Sequence, residues 1–458
     1  MIIENIKTAI LWVLILSSIA LTWLIWTYQP DYAELQEAGE GYVEIEEIGD
    51  TQNLSQVIHP TKVLIHNDEN ISLVNPGNDR YEELDELLAS IEIDYMYQKD
   101  SAKHAPSLDR FYSGVEIVYS QAIKGEWLEE LFSVEEENIP IELVDRIIFL
   151  ENPSSSIGSE VLVQFVDSEN EYIYESETSI SVSQMEEFYD DTEDSQTPVE
   201  KRVFREREES YFQPVRYVTT EPITLKTFTY ESRDLSSQAF SDILFSDPEF
   251  VRRYPQGGQE ETFTDGNRMM TIQETGSSGS ILQFDRPSVR VGEIVNLDPI
   301  LEAGLDFVNG HSGWTDHYYA DKWSETDLQD DVTFRLHVGG VPVFGSNMND
   351  ERFHTIEVKR RENQVTEYTR PMFQLEDEPF DKDTKVRIPP FEVVEQHIEE
   401  NELFNMDAVD DIRIGHNMER ERSFATFEPF WYAKVRGRWV QLDISFEADR
   451  EVIESGLE

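Results

Sequence analysis

No charged residue interrupts the chain between Lys7 and Asp31. Such a gap leaves few options for the segment it spans. The apolar stretch Ala9–Trp26, AILWVLILSSIALTWLIW, is 18 residues long. At about 1.5 Å per residue it reaches roughly 27 Å, near the thickness of a bilayer core. Trp23, Trp26 and Tyr28 sit at its far end, where amphipathic rings favour the membrane interface. Ser18-Ile19-Ala20 has the small-x-small look of a signal-peptide cleavage site. The apolar run nevertheless continues to Trp26, longer than a typical signal core. The reading is therefore an uncleaved anchor. Lys7 lies before it, and Asp31, Glu34, Glu37 and Glu40 lie after it. The positive-inside preference then puts residues 1–7 in the cytoplasm and the rest of the chain outside.

What remains is long and very acidic. The chain has 458 residues, with 37 basic against 94 acidic side chains and a formal net charge of −57. Nucleic-acid binding needs clustered Lys and Arg, so this balance argues against it. It argues equally against the bulk of the chain lying on anionic lipid. Cysteine is absent, which excludes disulfides, a thiol nucleophile, thiolate zinc and a lipoprotein anchor.

The pattern after residue 56 is α+β. Residues 30–56 read as an acidic stalk. VLIHN (63–67), ISLV (71–74), FYSGVEIVYS (111–120), DRIIFL (145–150) and VLVQFV (161–166) have the β-branched and aromatic content of strands. RYEELDELLASI (80–91) puts Leu84, Leu87, Leu88 and Ile91 on one helical face, and AIKGEWLEELF (122–132) is a weaker helix. Residues 185–210 are strongly charged and read as a linker or exposed helix. Beyond them a helix precedes a group of strands three times, at 234–245, 297–308 and 391–404. Asp234 and Asn296 are the expected N-caps, and Asp265-Gly266 and Gly339-Gly340 the expected hairpin turns. Antiparallel sheets with packed helices follow. The expected layout is a cytoplasmic tail at 1–7, a transmembrane helix at 8–29, an N-terminal α+β ectodomain at 30–205, a central α+β domain at 206–296 and a C-terminal α+β domain at 297–458.

Candidates for chemistry are few. GHSGWTDHYY (310–319) gathers His311, Asp316 and His317, the one set from which a zinc-dependent hydrolase is conceivable. Its spacing matches no helix-face metal motif, and Gly310-His311-Ser312-Gly313 lacks the G-x-S-x-G of a nucleophile elbow. A loop packed through Trp314 and Tyr318 explains the segment more simply. Val435-Arg436-Gly437-Arg438-Trp439 is a small basic patch, explained equally by a hairpin turning at Gly437. No catalytic residue, metal ligand or cofactor is assigned, and a binding or regulatory role is favoured over an enzyme. An extracellular ligand sensor would need an apolar pocket with convergent polar groups. Ser18 and Thr22, four apart on the apolar helix, are small polar residues that permit close packing with a second transmembrane helix, though such residues also occur in spans that pack against nothing.

Several stretches carry a resemblance. IKTAILWVLILSSIALTWLIWTYQPDY, above all Leu21-Thr22-Trp23 followed by Trp26-Thr27-Tyr28-Gln29-Pro30, resembles the start of the YycH (WalH) family. LFSDP (244–248), FTDGNRMM (263–270) and GLDFVNGHSGWTDHYY (304–319) resemble it too. The resemblance implies an extracytoplasmic regulator of the sensor histidine kinase WalK (YycG), acting with the single-pass protein YycI and affecting cell-wall metabolism. It also implies a three-part ectodomain whose later parts share YycI-like topology, and contacts with the kinase made within the bilayer. On this chain the partner-facing residues of the helix would be Ser18, Thr22, Trp23 and Trp26, with Lys7, Trp26 and Tyr28 as interface anchors.

Overall fold

The computed structural model describes Asn5, Lys7, Trp12 and residues 48–444 except 79, 94, 108, 135–138, 153–159, 188–194, 205–206, 209, 258, 276–278, 288–296, 347–350, 382–383, 401–404 and 422. The chain divides into two units, Met1–Glu46 and Glu47–Glu458. In the first, Asn5, Lys7 and Trp12 are helical and exposed. Ser18, Thr22, Trp23, Trp26 and Tyr28, and with them most of the expected membrane span, lie outside the described residues. No helix among the described residues is long and apolar enough to cross a membrane.

The second unit is α+β. It opens on α1 (Leu54–Val57), closed by a capping box in which Asn53 and Gln56 exchange side-chain and backbone bonds. There follow β1 (Lys62–Asn67), β2 (Asn70–Val74), α2 (Arg80–Ser90), β3 (Glu92–Ile93), β4 (Tyr97–Gln98), α3 (Ser101–His104), β5 (Gly114–Lys124), α4 (Leu128–Leu131), β6 (Ser133–Val134), β7 (Leu143–Glu151), β8 (Glu160–Asp167), β9 (Tyr172–Ser181), α5 (Val182–Glu187), β10 (Gln196–Val203) and β11 (Val215–Thr219). These strands form an eleven-stranded sheet in the order β11-β10-β2-β1-β5-β7-β8-β9-β3-β6, with β4 beside β9. Strand alternation gives it two unlike faces. Val63, Ile65, Val115, Ile117, Ile147, Phe149 and Val163 enter the main core on one. Glu116, Arg146, Gln164 and Glu175, all buried, occupy the other.

The chain then lays down β12 (Ile223–Lys226), β13 (Phe228–Asp234), α6 (Ser237–Leu244), β14 (Arg252–Gln256), β15 (Glu260–Thr264), β16 (Met269–Glu274), β17 (Ser280–Asp285), α7 (Ile300–Gly310), β18 (Tyr318–Ser324), β19 (Asp330–Val338), β20 (Val341–Pro342), β21 (Thr355–Arg361) and β22 (Gln364–Pro371). It ends with β23 (Phe373–Leu375), β24 (Lys385–Ile388), α8 (Phe391–Glu399), β25 (Val409–Glu421), β26 (Phe424–Val435) and β27 (Arg438–Gln441). A nine-stranded sheet runs β14-β15-β16-β17-β22-β21-β19-β18, with β20 on β19. A five-stranded sheet runs β23-β13-β26-β25, with β27 on β26, and β12 and β24 make a separate ribbon.

The main core is continuous from Leu54 through both larger sheets to Phe427. A second cluster joins Leu64, Leu73 and Val215 of the first sheet to Phe391, Val394 and Trp431. Side-chain bonds cross the seam between the larger sheets. Gln121 Nε2 donates to the Trp323 carbonyl at 2.8 Å, and Trp127 Nε1 to Glu302 Oε1 at 2.6 Å.

Several local expectations change. The stretch 48–56 is not a stalk: Ile48 packs on the main core and Asp50 bridges to Trp314. The expected helix at 122–132 is mostly strand and 3-10 turn, because Ile123 is fully buried in β5 and only Leu128–Leu131 is α-helical. Within 185–210, Gln196–Val203 is a strand held between β2 and β11, whose bonds satisfy its backbone on both edges. The N-cap of α6 is Ser236, which accepts from Ala239 N; Asp234 ends β13 and pairs with Arg420. Helix α7 starts after Pro299, and its Ile300 N donates to Glu325 Oε1 at 2.7 Å. Asn296 lies outside the described residues.

Candidate functional site

The histidine-bearing loop after α7 fastens distant parts of the chain together. His311 Nδ1 lies 2.6 Å from the Phe307 carbonyl. His317 is exposed. Asp316 accepts from Leu375 N at 2.9 Å and from the Thr315 hydroxyl at 2.8 Å. Burial pushes its carboxyl up to about 6 against those bonds. His311 and Asp316 thus hold separate partners, while the His317 side chain is exposed. Among the described residues no group of three or more His, Asp or Glu is placed to hold a metal ion. The loop instead grips residues 50–52. Asp50 N donates to the Trp314 carbonyl at 2.9 Å. Asn309 Oδ1 accepts from Gln52 N and from Trp314 Nε1, while Asn309 Nδ2 donates to the Gln52 carbonyl.

On the polar face of the first sheet, Glu116 is 1% exposed and saturated. It accepts from Arg146 at 2.8 Å, from Tyr112 at 2.8 Å and from Tyr217 at 2.5 Å, and it faces His66 Nε2 at 2.9 Å. Burial opposes its ionisation, but the bond to His66 and the Arg146 charge outweigh that and hold the carboxyl well below the usual range. Satisfied networks of this kind set the register and the uniqueness of a buried face.

The cavity worth most notice lies where the three larger sheets meet. Its cavity volume is about 90 Å³, and it opens to solvent on one side. Its apolar walls include Leu73, Tyr81, Tyr319, Phe391, Ile414 and Trp431, contributed by elements from across the chain. His59 stacks on Tyr319 at 4.4 Å between ring centroids, and Tyr319 meets His337 edge-on at 4.9 Å. Burial lowers His59 to about 4 and, with the nearby His59, His337 to about 3. Both rings are therefore neutral at pH 7.

The charged groups around this cavity are unevenly paired. Asp321 binds Arg335 at 2.8 Å and, although burial opposes it, stays down at about 2. Asp411 is fully used: one oxygen takes Arg216 at 2.5 Å, the other Arg413 at 2.7 Å. Lys62, at the start of β1, lines the same cavity. Lys62 is half-buried and, among the described residues, in no ion pair; the carboxylate that acts on its charge is Asp411, already held by two arginines. Burial, partly offset by Asp411, lowers Lys62 to about 8, and the charges of Arg216, Arg413 and Arg146 push the same way. Around the cavity four cations, Lys62, Arg216, Arg413 and Arg335, thus stand against two carboxylates, Asp411 and Asp321.

Nothing in the sequence marks this site. A lysine opening a strand looks like any surface lysine, and His59 carries no motif. The only available signal is scarcity: few cations in so acidic a chain.

Comparison with known proteins gives a consistent relation along the whole chain. Residues 4–197 match the family described as YycH protein, N-terminal domain, and residues 213–449 match YycH protein, C-terminal domain. The "Two-component system WalR/WalK regulatory protein YycH" of Bacillus subtilis (strain 168) is 20% identical over 454 residues, covering 96% of each chain. The crystal structure of YycH from Bacillus subtilis superposes with a TM-score of 0.67 at 17% identity, covering 86% of this chain and 98% of that one. At that identity the superposition speaks for the fold.

Proposed function

The chain belongs to the YycH family, and on that premise we propose that it is a non-enzymatic regulator of a two-component system. In this reading the Ala9–Trp26 helix anchors it in the cell membrane with residues 1–7 inside and the sheets outside. It binds the sensor kinase WalK (YycG) together with YycI and adjusts cell-wall metabolism through the kinase's output. The carrying observation is the match over 96% of both chains to a protein named as a WalR/WalK regulator. Two further points support it. Of the best sequence candidates for chemistry, His311 and Asp316 are turned to structural partners and His317 is exposed. The family-like residues also cluster on the apolar helix, whose Ser18, Thr22, Trp23 and Trp26 would form the partner-facing side, with Lys7, Trp26 and Tyr28 as anchors. The layout of a tail at 1–7 and a span at 8–29 belongs to the same proposal.

The test is a membrane co-purification with photo-crosslinkers at positions 18 and 22, beside a chain whose Ala9–Trp26 is replaced by an unrelated apolar helix. A crosslink to a histidine kinase, together with altered kinase output in the swapped chain and normal export, is the expected result. Unchanged output with no kinase recovered would overturn the reading.

A further inference from the structure

We infer that the junction cavity is a binding site for a small organic anion, whose apolar body lies against Tyr319, Phe391 and Trp431 and whose carboxylate, sulfonate or phosphate head pairs with Lys62. Three observations carry this. The cavity sets aromatic and aliphatic walls beside convergent polar and charged groups, Lys62, Arg216 and Arg413 among them, a composition that suits a small amphipathic ligand. Lys62 faces that space without a partner of its own, whereas Asp321 and Asp411, the carboxylates nearest, are each held by arginine. The surplus is positive in a chain of formal net charge −57, so the local charge is opposite to that of the chain as a whole. Lys62 is only half-buried, so water still meets part of its charge, and the cavity side of the ammonium is the side left for a ligand. An anionic head would meet it there with a charge-assisted bond, and the walls would shield that bond from water.

The position makes such binding consequential. The cavity wall draws on β1 and β11 of the first sheet, β18 and β19 of the second and β25 and β26 of the third. A ligand seated there would touch all three and shift their relative stability by the difference in its affinity for their arrangements. This inference does not depend on the kinase assignment, and its test does not read kinase output.

The full-length chain in lipid nanodiscs is titrated calorimetrically, with empty nanodiscs subtracted. The probes are naphthoate, decanoate and the uncharged naphthylmethanol. Saturable binding of one equivalent of naphthoate or decanoate, with naphthylmethanol at least about tenfold weaker, is expected. Preference for naphthoate assigns the site to aromatic anions, and preference for decanoate to single-chain acyl anions. Lys62→Met should weaken the anion about tenfold or more and leave naphthylmethanol unchanged. Ile414→Trp, which fills the cavity, should abolish both. Thermal unfolding checks that each variant is folded, and Lys62→Met alone decides the matter if Ile414→Trp is not. Anions bound no better than naphthylmethanol, or anion affinity untouched by Lys62→Met in a folded protein, would overturn the proposal.

Discussion

Asn309 and Gln52, 257 positions apart, hold each other by a reciprocal pair of hydrogen bonds. Gln52 N donates to Asn309 Oδ1 at 2.9 Å, and Asn309 Nδ2 donates to the Gln52 carbonyl at 2.8 Å. The same Oδ1 accepts from Trp314 Nε1 at 2.7 Å, and Trp314 is 2% exposed. One amide therefore fixes the first part of the folded unit, the end of α7 and a buried indole. Asn309→Ala removes three bonds and leaves the indole N–H without its acceptor. It is expected to cost about 2–4 kcal/mol. Hydrogen exchange on the full chain should show faster exchange at Gln52, while β7 and β8 keep their protection. Uniform loss of protection, or none, would contradict the clamp.

The Glu116 network sets a second expectation. Glu116→Gln removes the charge that compensates buried Arg146, and should destabilise by about 3–5 kcal/mol. Adding Arg146→Met should recover much of the loss, because the pair rather than the carboxylate alone is what the fold requires. The pH dependence has a definite sign. The folded carboxyl lies well below its ordinary 4.5, so its contribution is present above that value and drains away as pH falls below it. Urea unfolding between pH 7 and pH 3 should show a steeper fall below pH 4.5 in the wild type than in the double variant, which keeps only the slope from the other buried groups.

The cavity residues titrate the opposite way from a stabilising lysine or histidine. Lys62 is lowered from 10.5 to about 8. Between those values the unfolded chain holds the proton and the folded chain releases it, so stability rises with pH across that window. Lys62→Met should gain on the order of 2 kcal/mol at pH 7, a gain that shrinks as the wild type recovers toward pH 10. His59 and His337, lowered from 6.5 to about 4 and about 3, make the wild type lose stability below pH 6.5. Imidazole resonances of both should still report the neutral form at pH 5.5. An ordinary titration midpoint for either would refute the buried-histidine account.

Two glycines with nearly equal backbone angles separate conformational strain from packing. Gly340 has φ 73° and Gly437 φ 76°. A Cβ at Gly340 would lie 2.7 Å from the Gly77 backbone, whereas at Gly437 it would meet nothing within 4 Å. Gly437→Ala should cost about 1 kcal/mol, the price of a left-handed alanine. Gly340→Ala should cost at least about 2 kcal/mol more, since two backbones must part. Equal melting points for the two variants would show that the contact between these turns is dispensable.

Much of the local architecture was legible. Strands at 63–67, 71–74, 145–150 and 161–166 stand within two residues of their expected limits, because β-branched alternation is a property of neighbours. The turns at Gly266, Gly339 and Gly437 fall where expected, each glycine at positive φ. Errors came where a distant partner outweighed local preference. Ile123 is drawn into the core as strand despite its helical surroundings, and the charged run around Pro198 becomes a strand because β2 and β11 bond it on both sides. The GHSGWTDHYY loop was visible as special, but its purpose was not, since Gln52 lies 257 residues away.

The sequence by itself determined the α+β character, the hairpins, the absence of disulfide or thiol chemistry and the family. Each depends on residue type or on spacing along the chain. Only the tertiary structure decided that Lys62 would face an apolar cavity without a carboxylate of its own, and that Asn309 would hold Gln52. Burial and pairing are set by residues hundreds of positions apart, and no local pattern records which distant group arrives first at a charge.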